Sequence, residues 1–252
     1  MHLDHAGGAG LLLRSLPRAR ALIHPRGAAH MIDPARLIDA SRAVYGAQRF
    51  ARLYGELVPM PAERVQEVAD GERLTLGQRT LELLHTPGHA LHHYVIVDAA
   101  HASIFSGDTF GVSYRELDTA SGAFITPATV PTQFDPESHL TSIDRMLAYQ
   151  PESIYLMHFS RVTGVPRLGA LLKDQIVELA RIARARAAES DPAAGIRADM
   201  LALWVRLLRE QGSLLSKQAI GKALAGDLTL NTQGLMAWLA RTARTGREGT
   251  RA

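Results

Sequence analysis

Residues 1–10 read MHLDHAGGAG and bring His2, Asp4 and His5 within four positions of one another. A turn that carries two imidazoles and a carboxylate can present several ligands to one metal site. Gly7 and Gly8 follow directly and allow close backbone approach at the start of a helix. Taken alone, the cluster is better explained as an accidental grouping at a chain terminus. The remaining motifs therefore decide what it means.

Composition limits the kinds of site that the chain can build. The 252 residues are 46% hydrophobic, which is enough for a sizeable core. There is no cysteine, so disulfides and thiolate metal sites are excluded. Any metal must bind imidazole and carboxylate groups, which suit zinc, iron or manganese.

Charge and hydropathy limit the expected partners. The net charge is only +3, and Arg181, Arg184 and Arg186 have the helical spacing of a solvated face, so a nucleic-acid partner is not expected. No apolar run approaches the ~20 residues that cross a bilayer, so no membrane partner is expected. No signal peptide precedes the first motif, and a cytoplasmic protein is predicted.

The chain changes character near residue 165. Residues 1–165 mix strand and helix patterns, residues 166–245 are helical, and residues 246–252 have the composition of a disordered tail. Strands are predicted over 19–25, 79–84, 94–98, 102–108 and 152–158, and helices over 7–16, 34–46 and 136–150. Trp204 and Trp238 lie on apolar helical faces, which predicts core packing or, if exposed, a homodimer interface.

Three later segments end a predicted strand in histidine or aspartate. His89 closes the rigid turn Thr86-Pro87-Gly88-His89, Asp108 follows the strand that ends Ser106-Gly107, and His158 follows the strand 153–157. Each has an ordinary structural explanation: a surface turn, an Asx turn or a histidine at the rim of the core. Four such segments in one chain favour a shared metal site instead.

The order HLDH, TPGH, SGD, H resembles that of the metallo-β-lactamase-fold hydrolase superfamily, especially its glyoxalase II-like branch. The resemblance covers residues 1 to about 160. It implies an α/β fold, the four-layer αβ/βα sandwich, with an appended C-terminal helical region.

The resemblance also implies a dinuclear zinc site, in which iron or manganese could replace zinc. His2 and His89 would bind one metal, Asp4, His5 and His158 the other, and Asp108 would bridge the two. The family motif reads His-x-His-x-Asp-His, and its first histidine would stand immediately ahead of Met1. We therefore expect that Met1 is the variable residue of a longer motif, and that the chain lacks that histidine and the opening strands.

The implied function is that of a hydrolase that uses a metal-bound hydroxide to attack the acyl carbonyl of a small-molecule thioester or related ester, with Asp4 and Asp108 as catalytic residues. A lactonase and an iron-dependent sulfur dioxygenase share the ligand set and remain alternatives. Tyr114 is a candidate for substrate binding, although packing would also explain it. An alternative from another functional class is that the chain is a non-catalytic remnant that acts as a binding module.

Overall fold

A computed structural model describes residues 2–129 and 133–249. The chain divides into two compact units, residues 1–72 and 73–252. The change from mixed structure to continuous helix falls at Val165, where the first long helix begins. The domain boundary predicted at 165 thus marks a change in secondary structure, and as a boundary between domains it stays a prediction.

The first unit is mainly helical around a short parallel strand pair. Strands β1 (Ala21–Ile23) and β2 (Val65–Glu67) pair with Ala21 opposite Val65. Its core is formed by apolar residues of the helices, of β1 and of the segment before β2: Leu13, Ile23, Ala28, Met31 and Met60. The helices are α1 (Leu3–Ala6), α2 (Ala9–Ser15), α3 (Pro25–Ile32), α4 (Ala35–Tyr45) and α5 (Ala47–Tyr54).

The second unit contains a six-stranded sheet in the order β3-β4-β5-β6-β7-β8. The pairs β4–β5, β5–β6 and β7–β8 are antiparallel, whereas β6 and β7 are parallel. A parallel pair needs a crossover, and the helix α6 (Pro136–Leu147) provides it. The strands are β3 (Glu72–Leu76), β4 (Arg79–His85), β5 (Tyr94–Asp98), β6 (Ser103–Gly107), β7 (Ser153–Leu156) and β8 (Arg161–Thr163).

Four helices follow the sheet in the same unit and share its core. Trp204 is fully buried and Trp238 is 3% exposed, so the predicted core packing of both indoles is confirmed. Asp191 caps the second of these helices by accepting from the N–H of Ala194, and Pro192 occupies its first position. The helices are α7 (Val165–Arg186), α8 (Pro192–Glu210), α9 (Lys217–Ala223) and α10 (Ala225–Gly249).

Several predicted elements differ from the observed ones. The strand predicted over 19–25 is only three residues long, because Pro25 starts α3 with His24 as its N-cap. Pro136 opens α6 as predicted, whereas Pro34 is the N-cap of α4 and lies one position before its first turn. The last helix continues to Gly249, past the start of the predicted tail, whose residues 250–252 lie outside the described residues.

The described helices bear on two predictions, that the chain has no membrane partner and no nucleic-acid partner. None of them combines the length and apolar character that crossing a membrane requires. Each of the three arginines discussed above has an intramolecular contact: Arg181 pairs with Glu178, Arg186 with Asp199 and Glu189, and the Arg184 guanidinium lies 4.9 Å from the Trp238 ring centroid. The absence of a nucleic-acid partner stays a prediction.

Candidate metal centre

In the first unit, the HLDH stretch forms one helical turn. His2 is the N-cap of α1, and Leu3 turns into a small core with Phe50 and Leu57. With Leu3 buried, the polar side chains occupy the rest of the turn. His5 Nε2 lies 3.3 Å from Asp4 Oδ2, and the rings of His2 and His5 are 6.2 Å apart between centroids.

In the second unit, three predicted ligands from different strand ends meet. Asp108 Oδ2 lies 3.4 Å from His89 Nε2, and Asp108 Oδ1 lies 3.5 Å from His158 Nε2. Each carboxylate oxygen therefore faces a different imidazole, as a bridging aspartate requires. His89 and Asp108 are buried, whereas the His158 side chain is 42% exposed.

The turn that carries His89 is held by helix α6. The N–H of Asp135 donates to the Gly88 carbonyl at 2.8 Å, and Ser142 Oγ donates to the Pro87 carbonyl at 2.6 Å. Gly88 has φ +128°, and a Cβ on it would come within 2.3 Å of the His139 backbone. Only glycine combines that φ with so close an approach to the helix.

One hydrogen bond selects the nitrogen that His89 offers. Nδ1 lies 2.7 Å from the carbonyl oxygen of Ala128, which can only accept, so Nδ1 carries the proton. Nε2 is then the basic nitrogen, and it is the one that faces Asp108. A metal-ligating histidine commonly donates its other ring N–H to a carbonyl in this way.

Asp108 is positioned by a half-buried histidine, His93. The N–H of Asp108 donates to His93 Nε2 at 3.1 Å, so the proton of that ring is on Nδ1, which lies 2.8 Å from Thr86 Oγ1 and 2.9 Å from Thr109 Oγ1. Burial and the nearby His89 hold the pKa of His93 well below its usual value and keep the ring neutral. Gly107 permits this contact, since a Cβ there would lie 2.4 Å from His93 Nε2.

A fully buried histidine, His139, supports the same region from α6. Its Nε2 donates to the Thr109 carbonyl at 2.7 Å, and burial lowers the pKa of His139 to about 4. Motif reasoning did not single this residue out. The available signal was its place in the buried stripe of α6 with Ser142, Ile143 and Met146, where a polar side chain needs a partner.

Tyr114 and the last helix lie beside His158. The Tyr114 hydroxyl donates to Asp227 Oδ2 at 2.8 Å, and the Tyr114 ring is 4.8 Å from that of Phe159. Burial raises the pKa of Asp227, and the neighbouring His158 opposes that rise. Burial and the Asp227 charge raise the pKa of Tyr114, so it stays a phenol whose proton points at Asp227. Its predicted role in substrate binding stays a prediction.

In the second unit, the pairs His89–Asp108 and Asp108–His158 each bring together donor atoms that suit a divalent cation. The distances of 3.4 and 3.5 Å exceed the ~2.8 Å of a direct charge-assisted hydrogen bond. They match the ~3.3 Å between ligand atoms that share a tetrahedral zinc with bonds of ~2.0–2.1 Å. Imidazole and carboxylate donors also suit zinc, iron and manganese. The structure thus brings His89 and His158 to the two oxygens of Asp108. The ligand roles of all six residues, His2, Asp4, His5, His89, Asp108 and His158, stay predictions.

Comparison with known proteins identifies the family of the chain. The family model of the metallo-beta-lactamase superfamily matches residues 1–158. A metallo-beta-lactamase fold-containing protein of Sulfurisphaera tokodaii is 26% identical over 163 residues, which are 63% of this chain and 57% of the relative. Hydroxyacylglutathione hydrolase of Aeromonas hydrophila is 41% identical over 68 residues, 27% of this chain and 26% of that protein. The chain therefore spans less than two thirds of the length of either relative.

Solved structures share the fold at low identity. A metallo-beta-lactamase family protein from Thermus thermophilus has a TM-score of 0.60 and 17% identity, with 96% of this chain and 72% of that chain covered. An archaeal metallo-beta-lactamase superfamily protein from Sulfolobus tokodaii has a TM-score of 0.58 and 19% identity, with 90% and 73% covered. Together with the family model, which matches more than half of the sequence, these likenesses confirm the predicted fold class and its appended helices. The chain belongs to the metallo-beta-lactamase superfamily.

Proposed function

We propose that this chain is a metal-dependent hydrolase of small-molecule thioesters or related esters, of the glyoxalase II-like branch. Members of the superfamily are generally metallo-hydrolases that bind divalent metals. The observation that carries the proposal is the bridging placement of Asp108, with one oxygen toward His89 and the other toward His158. The preference for thioesters is supported by the 41% identity, over 68 residues, to a hydroxyacylglutathione hydrolase.

The residues of the second unit supply positioning for this chemistry. A bound divalent cation would lower the pKa of water and polarise the acyl carbonyl. Asp108 and His158 would hold that cation, and the His158 side chain is 42% exposed to solvent. The Ala128 carbonyl keeps His89 in the tautomer with a basic Nε2, and His93 fixes the backbone of Asp108.

The proposed reaction is a hydrolysis. Water adds to the acyl carbon, the C–S bond breaks, and the products are a carboxylic acid and a thiol that takes up the second proton of water. The ligand roles predicted for His2, Asp4 and His5, and the catalytic role predicted for Asp4, belong to the same proposal.

The test is hydrolysis by the zinc-loaded full chain. An acyl-glutathione thioester, the matching oxygen ester and a lactone are compared, and we expect the thioester to have the highest kcat/KM. Asp108→Ala and His158→Ala should lose activity because each removes a ligand, while His30→Ala, at an exposed position on α3, should retain it. Appreciable turnover by Asp108→Ala would refute the proposal.

The alternatives predict other results in the same assay. A lactone hydrolysed faster than the thioester would identify a lactonase. Oxygen consumption by the iron-loaded protein with a thiol persulfide, without thioester hydrolysis, would identify a dioxygenase. A folded chain that binds zinc and turns over none of these substrates would support a non-catalytic binding module.

A further inference from the structure

We propose that Asn231, on the last helix of the appended region, is a positioning residue for the metal ligand His89. The inference rests on the metal centre of the proposed function and adds to it a residue from outside the four motifs. It gives the C-terminal helices a role in metal binding, because α10 would then set the orientation of a ligand that is 142 positions earlier in the chain.

The Asn231 side chain is buried, at 2% exposure, and its amide bonds both neighbours of Ala128. Oδ1 accepts from the N–H of Thr129 at 2.5 Å, and Nδ2 donates to the Pro127 carbonyl at 2.9 Å. A backbone N–H can only donate and a carbonyl can only accept, so the amide has one possible orientation. The Thr129 hydroxyl adds contacts of 2.9 Å to Asn231 Oδ1 and 3.1 Å to the Asn231 carbonyl.

These bonds fix the peptide group between them. The Ala128 carbonyl lies between the two anchored positions, and it is the acceptor for His89 Nδ1 at 2.7 Å. Its direction depends on the backbone torsions that the Asn231 amide restrains. Without the amide, the carbonyl could rotate and His89 would lose the bond that keeps its proton on Nδ1.

The position of Asn231 in α10 supports a specific role. Leu228, Leu235 and Trp238 are buried on the same helix at spacings of three, four and seven residues from it. An apolar side chain would continue that stripe, whereas a buried amide is costly unless its partners are satisfied. The amide makes its bonds to the loop 127–129.

Gln175 on α7 provides a matched control. It is also a buried amide, at 1% exposure, and its Nε2 donates to the carbonyl of Ile125 at 2.8 Å while its Oε1 accepts from Trp204 Nε1 at 2.9 Å. It therefore anchors the same segment, but three residues before Ala128. Loss of general stability should affect both variants, and loss of His89 positioning only the Asn231 variant.

The first measurement is the Kd for Zn²⁺ of the full chain, obtained by competition with a chromogenic chelator. We expect Asn231→Ala to raise this Kd by ~10–100-fold, the usual effect when a metal-binding histidine loses the partner of its other ring nitrogen, here the Ala128 carbonyl. Gln175→Ala should leave the Kd unchanged. An unchanged Kd in Asn231→Ala, or an equal rise in both variants, would overturn the proposal.

The second measurement needs no metal and therefore separates this inference from the proposed function. Long-range ¹H–¹⁵N NMR of the metal-free protein should show His89 as the Nδ1–H tautomer in the wild type and in Gln175→Ala, and as a tautomer mixture in Asn231→Ala. A single Nδ1–H tautomer in Asn231→Ala overturns the proposal, even if the wild type binds no zinc and the proposed function fails.

A third variant covers the case in which Asn231→Ala does not fold. Asn231→Asp keeps the size of the side chain and the acceptor for Thr129, but it places an oxygen against the Pro127 carbonyl. Weakened zinc binding in folded Asn231→Asp is the expected result, and wild-type affinity would contradict the role of the donor.

Discussion

At Gly88, two independent constraints meet in one residue. Its φ of +128° is unfavourable for any L side chain, and a Cβ would overlap the backbone of His139 at 2.3 Å. Backbone strain of this kind costs about 1–3 kcal/mol, and the overlap cannot be relieved by rotating a side chain. We expect Gly88→Ala to lower the free energy of unfolding in urea by more than that strain alone, and to weaken zinc binding through the adjacent His89.

Gly212 provides a control that has the positive φ without the close contact. It has φ +92°, but a Cβ there would meet no atom within 4 Å. Gly212→Ala should therefore show only the strain of about 1–3 kcal/mol, with zinc affinity preserved. Equal losses of stability in the two variants would mean that the contact with α6 adds nothing.

The candidate metal ligands were predictable from the sequence because they belong to recognisable motifs. The residues that hold those ligands in place were harder to predict. His89, Asp108 and His158 stand at strand ends in a recognisable order, and the structure brings them together. His93 and His139 act through contacts between segments that are distant in the chain. No local pattern encodes such contacts, and a polar residue in an apolar stripe was the only signal for His139.

At the scale of elements, a hydrogen bond from Tyr114 connects the segment after β6 to α10, in addition to the bonds of Asn231. The Tyr114 hydroxyl donates to the Asp227 carboxylate, and a hydrogen bond to a charged group contributes about 1.5–3 kcal/mol. Tyr114→Phe should lower the free energy of unfolding by that amount in urea. If this hydrogen bond to Asp227 is the main role of the Tyr114 hydroxyl, KM for the thioester should remain unchanged.

The control for Tyr114→Phe is Tyr155→Phe on β7, since the Tyr155 hydroxyl makes no hydrogen bond to any described residue. Tyr155→Phe should leave stability unchanged. A double-mutant cycle of Tyr114→Phe with Asp227→Asn should show coupling between the two sites. Additive effects would contradict a stabilising Tyr114–Asp227 hydrogen bond. A raised KM in a Tyr114→Phe variant as stable as the wild type would favour the role in substrate binding.

Long or strongly patterned elements were predicted better than short ones. The strands β4 to β7 and the helices α6 to α8 follow clear apolar periodicity. The three-residue strand β1 was predicted as part of a longer strand, and β2 and β8 were missed, because so short a stretch has no measurable period and forms only through its pairing partner. The helices α3 and α5 are eight residues each and depend on packing within the first unit.

At the scale of the whole molecule, the buried neutral histidine His139 makes stability depend on pH. Burial lowers the pKa of His139 to about 4, against about 6.5 in the unfolded chain. Between these values the unfolded state binds a proton that the folded state does not, so the free energy of unfolding must decrease as pH falls. The full decrease from His139 is roughly 3 kcal/mol and is reached below pH 4.

The matched variant isolates this contribution from that of His93 and the carboxyl groups. His139→Gln can still donate to the Thr109 carbonyl but does not titrate. We expect it to be less stable than the wild type at pH 7.5, because it packs less well, and to lose less stability between pH 6.5 and 4.5. Urea unfolding of the metal-free protein across this range gives both curves. Since the other groups titrate in both proteins, parallel curves would show that His139 does not resist protonation in the folded state, and that its environment is more polar than its burial implies.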